Sequence, residues 1–575
     1  MSSEACATER WLRQVQRCSA VTAMGGTRRI LPARTHGQSF TSEGASMETN
    51  LSSRAWTRRR FLRTIGILAA GSVPAGAVAY ELARAAGAGP GSSPSPGPLL
   101  AALGSEAPAG GSDVTGSGSP AGRRSFRSRP DLAPPVVSVG TPARSVAPGY
   151  VFLTPNNGAG VDGPTIVDND GELVWMRPDT GQHATDFRVS QYLGRPVLTW
   201  WEGSTNGGIG SGECVIADGS YREIARIRAG TGRTVDLHEL EITPQGTALF
   251  FADAIVDGSR QLAGGAPLPW PVVDCAIQEV DIATGALLWE WHAIDHIALD
   301  ESLAGTPSTA GSAYDYVHTN AIKLQTDGSL LVSARNTSTI YRIERPGGTI
   351  AWRLGGRRND FRIGPGASFG WQHDARIRPD GTLTVFDDEA PPVPARALVL
   401  RLDESARTAD LVRTCTRPTP DLVSSQGNVQ LLANGNVFVG WGSTPYCSEF
   451  SPDGRLLFDA TFPSAVQSYR DFRCEWVGEP ADDPAIAVDS AAGGLTVHAS
   501  WNGATEVARW DVLAGERADS LAVVASAPRS GFETSIQAAS AASLVAARAF
   551  DAAGHVLGTS AVVATGAAPS PSAAV

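Results

Sequence analysis

Residues 314–336 read YDYVHTNAIKLQTDGSLLVSARN. A His leads an alternating apolar run, Asp327-Gly328 turns the chain, and a second apolar run returns. That pattern is a β-hairpin. It recurs at 236–253 (DLHELEITPQGTALFFAD) and at 369–388 (FGWQHDARIRPDGTLTVFDD). Each copy opens on a His: His238, His318 and His373. A second repeated unit joins a Gly turn, an apolar strand and an aromatic residue at a fixed offset. It appears as DGELVWMRP (170–178), TGALLWEWH (284–292), GGTIAWRLG (347–355) and DGRLLFDAT (453–461). GNVQLLANGNVFVGWG (427–442) continues the series of hairpins. Units of four short strands at this spacing predict propeller blades. The fold class is all-β: a six-bladed β-propeller over 146–479, with SYRDFRCEW (468–476) supplying the strand that closes the ring.

The rest of the chain divides by composition. With 575 residues there is room for more than one core, and 63 Gly with 38 Pro favour turns and short strands. A formal charge of −11 argues against nucleic acid or an anionic membrane surface as partner. Residues 1–84 form a leader. Within it Thr57-Arg58-Arg59-Arg60-Phe61-Leu62-Arg63 resembles the twin-arginine export consensus, and Met47 is a candidate start. The apolar run 65–79 that follows ends in Ala77-Val78-Ala79, a small-residue cleavage candidate, and is short and Gly-rich for a membrane span. Export is the reading, to the cell surface or beyond, with the signal segment either cleaved or kept as a membrane anchor. Residues 85–145 are rich in Gly, Ala, Ser and Pro and read as a disordered linker. Residues 480–566 alternate as strands around Trp501 and Trp510 and predict a small immunoglobulin- or fibronectin III-like β-sandwich, with 567–575 a loose tail. Cys415, Cys447 and Cys474 fall in the last blade region, where export would permit one disulfide.

The three histidines carry the chemistry. The innermost strand of each blade lines a central channel, so residues at equivalent starts of those strands converge at one rim. Read as two-residue loops, the three hairpins put His238 opposite Asp253, His373 opposite Asp388, and Asn320 opposite Arg335. A carboxylate beside an imidazole fixes its tautomer and stabilises the imidazolium. Imidazoles with Arg335 and Asn320 suit a tetrahedral anion, since a guanidinium offers a fork of donors to its oxygens. A neutral imidazole can attack sulfur or phosphorus and hold the group covalently, while another moves the proton. Trp371 is a candidate to stack on an aromatic ligand.

DLHEL, the His318-Thr319-Asn320 motif, Ser333-Ala334-Arg335, WRLGG followed by Asp360-Phe361, and WQHDA at 371–375 resemble the arylsulfotransferase family. The likeness covers about 150–476. It implies a six-bladed propeller that moves sulfate between phenols through a sulfohistidine, without a nucleotide donor or other cofactor. Its partners would be a small-molecule aryl sulfate and a phenol. By motif, His373 resembles the nucleophile, and His238, His318, Asn320 and Arg335 the supporting residues. Two other classes stay open at this point. Three histidines on a propeller axis can ligate zinc or iron, which the adjacent Arg335 disfavours. The chain can also be a non-catalytic surface binding module. HELEI at 238–242 is not HExxH, because Ile242 stands where the second His belongs.

Overall fold

The computed structural model describes residues 122–565, apart from 159–161, 178–180, 259–267, 269, 308–311, 390–392, 421 and 492. The twin-arginine segment, linker residues 85–121 and the tail lie outside the described residues. Among the described residues no helix is long and apolar enough to cross a membrane.

The chain from 150 to 474 folds as successive antiparallel sheets. Among the described residues six of them have four or five strands, and they span 150–176, 183–227, 240–292, 319–355, 362–415 and 428–461, with Arg362–Ile363 a parallel edge strand on the fifth. We number them one to six. Their first strands touch in turn from sheet one to sheet six, and Val437–Gly440 of sheet six meets Phe472–Cys474, giving an all-β, propeller-like arrangement. Phe472–Cys474 returns to pair with Tyr150–Leu153, so the last segment becomes the innermost strand of sheet one. Apolar faces of neighbouring sheets share their cores. Leu331, Ile340 and Leu354 of sheet four, for example, pack with Leu383, Val385 and Leu398 of sheet five.

The hairpins of sheets three, four and five turn in one way, and it is not the expected one. Thr243, Gln325 and Arg378 each accept at their carbonyl from the amide of Gly246, Gly328 and Gly381, three residues on. Their own amides donate one residue beyond that glycine. These are three-residue loops with a left-handed glycine (φ 80°, 85° and 78°), not two-residue loops. The pairing shifts by one residue. Leu240 faces Phe250, Ala321 faces Ser333, and Arg376 faces Thr384. Irregularities at 319–321 and 373–376 break the ladders again near the histidines. Asp253, Asp388 and Arg335 therefore do not stand directly across from their expected partners.

Residues 122–145 correct the linker reading. Ser138–Thr141 adds a fifth strand to sheet six by pairing with Leu456–Thr461. Leu132 is buried against Leu173, Met176 and Phe532, and Arg124 meets Glu172 at 2.5 Å. Few apolar side chains suffice here, because each drops into a groove made by distant parts of the chain. The disulfide expectation is also corrected. Cys415, Cys447 and Cys474 are free thiols, standing on strands of sheets five, six and one.

Beyond 478 two antiparallel sheets, built from 485–538 and 509–564, share one apolar core that includes Val497, Trp510, Val512 and Val545. This unit docks on the outer edge of sheet one. Asn502 accepts from the Met176 amide at 3.0 Å and donates to the Met176 carbonyl at 2.9 Å, copying a strand partner. The Gly503 amide donates to the Val174 carbonyl at 2.9 Å. An edge strand that would otherwise present open backbone groups is covered.

Candidate active site

His238, His318 and His373 meet beside the centre of the sheet ring. The rings of His238 and His318 stand edge to face with centroids 4.9 Å apart. Tyr469, from the closing segment, packs edge-on to both His238 (5.6 Å) and His373 (6.5 Å). The turn at Gly207-Gly208 overhangs the cluster: a Cβ on Gly208 would come 3.2 Å from His318 Cε1.

Each imidazole is held at Nδ1 by a carboxylate. Asp315 takes His318 and Asp388 takes His373, both at 2.5 Å, and Asp236 takes His238 and also its backbone amide. The acid on His238 is thus Asp236, two residues upstream, and not Asp253. Asp253 is buried between like charges: burial first, then Asp236 and Asp315, push its carboxyl well above the usual range. Burial would raise Asp315 too, but His318 outweighs it and holds that carboxyl below its ordinary value.

His373 is defined at both ring nitrogens. Its Nε2 accepts the Gln426 amide N–H at 3.3 Å, so the ring proton sits on Nδ1 and points at Asp388. Burial, and then the Arg335 charge, hold the imidazolium form of His373 well down in pKa. His238 is lowered as well, by burial against the opposing pull of Asp236. Both rings are therefore neutral near pH 7.

Arg335 stacks over Trp371 with the guanidinium carbon 4.9 Å from the ring centroid. It donates to the Ser424 carbonyl at 3.0 Å and to Asn336 Oδ1 at 3.1 Å. Asn320 does not face it. The Asn320 amide group donates to the Gln372 carbonyl at 2.8 Å, and its Oδ1 is buried without a hydrogen-bond partner. Sequence reasoning thus gathered His238, His318, His373, Arg335, Trp371 and Asp388 near one another, and misjudged the partners of Asn320 and Asp253.

It missed a belt of buried charges alongside the imidazoles. Arg470 donates to Asp186 (2.9 Å), Glu239 (3.1 Å) and the Asn320 carbonyl (2.6 Å). Arg376 meets Glu239 at 2.5 Å and Asp374 at 2.7 Å, and Arg188 also meets Glu239. Three guanidinium groups and three carboxylates close on one another across the inner strands of sheets two, three and five and the closing segment. The available signal was Asp-x-Arg, at 186–188 and 374–376, on two of those strands. Among the described residues no group of three or more His, Cys, Asp or Glu is arranged to hold a metal ion.

This arrangement suits transfer of an anionic group. A neutral imidazole with its Nδ1 proton fixed presents a lone pair at Nε2, a guanidinium lies nearby, and two further imidazoles stand ready to move a proton.

No curated protein matches the chain. Among solved structures, a protein of unknown function from Bacteroides caccae is 15% identical, with 56% of this chain and 98% of that chain covered and a TM-score of 0.34. A protein from Lactobacillus plantarum is 12% identical, covering 67% and 97%, with a TM-score of 0.29. Virginiamycin B lyase from Staphylococcus aureus is 11% identical, covering 64% and 96%, with a TM-score of 0.30. These likenesses are too loose to bear on what this chain does. Residues 188–463, which carry all three histidines and Arg335, match the family model for arylsulfotransferase (ASST). Through that region the chain is similar to the arylsulfotransferase family.

Proposed function

We propose that this protein moves a sulfuryl group from an aryl sulfate ester to a phenol, with His373 as the nucleophile. The carrying observation is the double definition of His373: Asp388 on Nδ1, a lone pair at Nε2. In the first half-reaction Nε2 attacks sulfur, the N–S bond forms, and the S–O bond to the aryl group breaks. The departing aryl oxide leaves as a phenol after taking a proton from His318. The sulfated ring is a cation while Nδ1 keeps its proton, and the Asp388 carboxylate offsets that charge. In the second half-reaction a phenol gives its proton to the same imidazole and its oxygen attacks sulfur. The S–N bond then breaks and returns the electron pair to Nε2. Arg335 stabilises charge on the sulfuryl oxygens in both directions. A stacked Trp371 gives an aromatic leaving group or acceptor a face to lie against.

The same proposal takes the sheet ring as six blades, the 480–566 unit as immunoglobulin- or fibronectin III-like, and the leader as a twin-arginine signal that sends the folded chain out of the cytoplasm. The cyclic sheet order and the two-sheet core of the C-terminal unit support the first two readings. The test of the chemistry is incubation with an aryl sulfate in the absence of acceptor, followed by peptide mapping. A sulfuryl group on the peptide carrying His373 is expected, and its release by added phenol. A sulfuryl group found on another residue would reassign the nucleophile.

A further inference from the structure

The turn 424–427 lies directly on the nucleophile of the proposed reaction. Its Gln426 amide occupies the lone pair of His373 Nε2 at 3.3 Å. A sulfur bonded to Nε2 would have to sit between these two nitrogens, in a gap that cannot hold it. The turn is also held in place with effort. Gln426 adopts a left-handed backbone (φ 73°), which a non-glycine residue rarely takes, and its side-chain Oε1 is buried without a hydrogen-bond partner. Gly427 follows at φ 95°, where a Cβ would come 2.5 Å from the Phe386 ring. Ser443 donates to the Ser425 carbonyl at 3.1 Å, and Gly427 to the Tyr469 carbonyl at 3.0 Å.

One further bond reaches the turn from the site itself. Arg335 donates to the Ser424 carbonyl at 3.0 Å. The same guanidinium is the group best placed to take a sulfate oxygen. It cannot give that N–H to both.

We infer that the 424–427 turn is a cap on His373 that an anionic substrate displaces, with Arg335 as its latch and Ser424 and Gln426 as residues that decide which ligands reach Nε2. The inference rests on the transferase reading for the identity of the substrate, an ester bearing a tetrahedral anion. A sulfate oxygen is a charged acceptor and outcompetes the neutral Ser424 carbonyl for Arg335. With that bond exchanged, the strained turn withdraws and uncovers Nε2. The Gln426 amide is then free to donate to a sulfuryl oxygen once the N–S bond has replaced the lone pair. A neutral ester offers Arg335 only an uncharged acceptor, no better than the Ser424 carbonyl, and leaves the cap shut, which sets the specificity for anions.

Hydrogen exchange of the full-length protein tests this without turnover. Inorganic sulfate is compared with chloride at equal ionic strength. Peptides covering 424–427 should exchange several-fold faster in sulfate. Arg335→Gln should exchange that fast already in chloride and be unmoved by sulfate. Wild-type protection that is unchanged or strengthened by sulfate overturns the cap, and so does slow exchange of Arg335→Gln in chloride. Opening in sulfate by a protein that never accepts a sulfuryl group would sink the transferase reading and leave the cap standing. Sulfuryl loading with the turn still protected would do the reverse.

Discussion

His373 donates from Nδ1 to Asp388 Oδ2 at 2.5 Å, and both side chains are buried. The bond fixes one tautomer and places a carboxylate against the ring that gains positive charge during transfer. Burial raises the Asp388 carboxyl against the pull of Arg335, so the first effect of Asp388→Asn is on the tautomer: its amide can present the wrong face to Nδ1. Sulfuryl loading should fall about a hundredfold to ten-thousandfold. The readout is the single-turnover rate together with KM, with KM changed far less than the rate.

Asp236 and Asp253 separate two accounts of His238. Asp236 holds its Nδ1, so Asp236→Asn should slow turnover about 10- to 100-fold. Asp253 is pushed up toward its neutral form, and an amide in its place changes little in charge. Steady-state rates of the two variants, with folding checked by circular dichroism, decide between them. A larger loss from Asp253→Asn would show that the site depends on the residue across the hairpin.

Much of this site was written in the sequence, and the rest was not, for identifiable reasons. The alternation of 319–324 and 330–334 about a Gly turn is a two-residue period that any half-buried hairpin must show. The leading His of each copy was plain for the same reason. The loop type was not plain: a three-residue and a two-residue turn both want Gly, and one residue of register moves Asp253 away from His238. Asp236 and Asp315 lie so near their histidines in the chain that strand-pairing logic passed over them. Gln426 acts through a backbone N–H, which no side chain reports. Tyr469 and Arg470 reach the centre only because the closing strand returns to sheet one. Residues 122–145 looked like linker because Leu132 packs with Leu173, Met176 and Phe532, and Val137 shares a core with Phe438, Phe458 and Ala460, all distant in the chain.

Glu239 is buried and receives Arg470, which is buried with it, and Arg188 and Arg376, which reach it from the partly exposed edge. Glu239→Ala leaves three guanidinium groups around a missing charge and should cost about 3–5 kcal/mol of stability. Denaturant unfolding, with the m-value compared with that of the wild type, checks this. An unchanged midpoint would show that the belt is not what ties the inner strands together.

The pH profile of loading carries its own sign. His373 is a base whose pKa in the folded protein is lowered, chiefly by burial and then by Arg335. It therefore stays neutral below the ordinary imidazole range, and the rate of sulfuryl-enzyme formation should not fall as pH is lowered from about 8 to about 6. Rapid-quench rates over that range test it. A fall centred near the free-imidazole pKa of about 6.5 would contradict the burial of this ring.

The account stands or falls on covalent sulfation of one imidazole. The measurement is the intact mass of the purified protein after exposure to an aryl sulfate without acceptor, beside the same experiment on His373→Asn. One added sulfuryl group on the wild type, absent from the variant and discharged by phenol, is the expected result. An unmodified wild type, or an adduct that persists in His373→Asn, would contradict it.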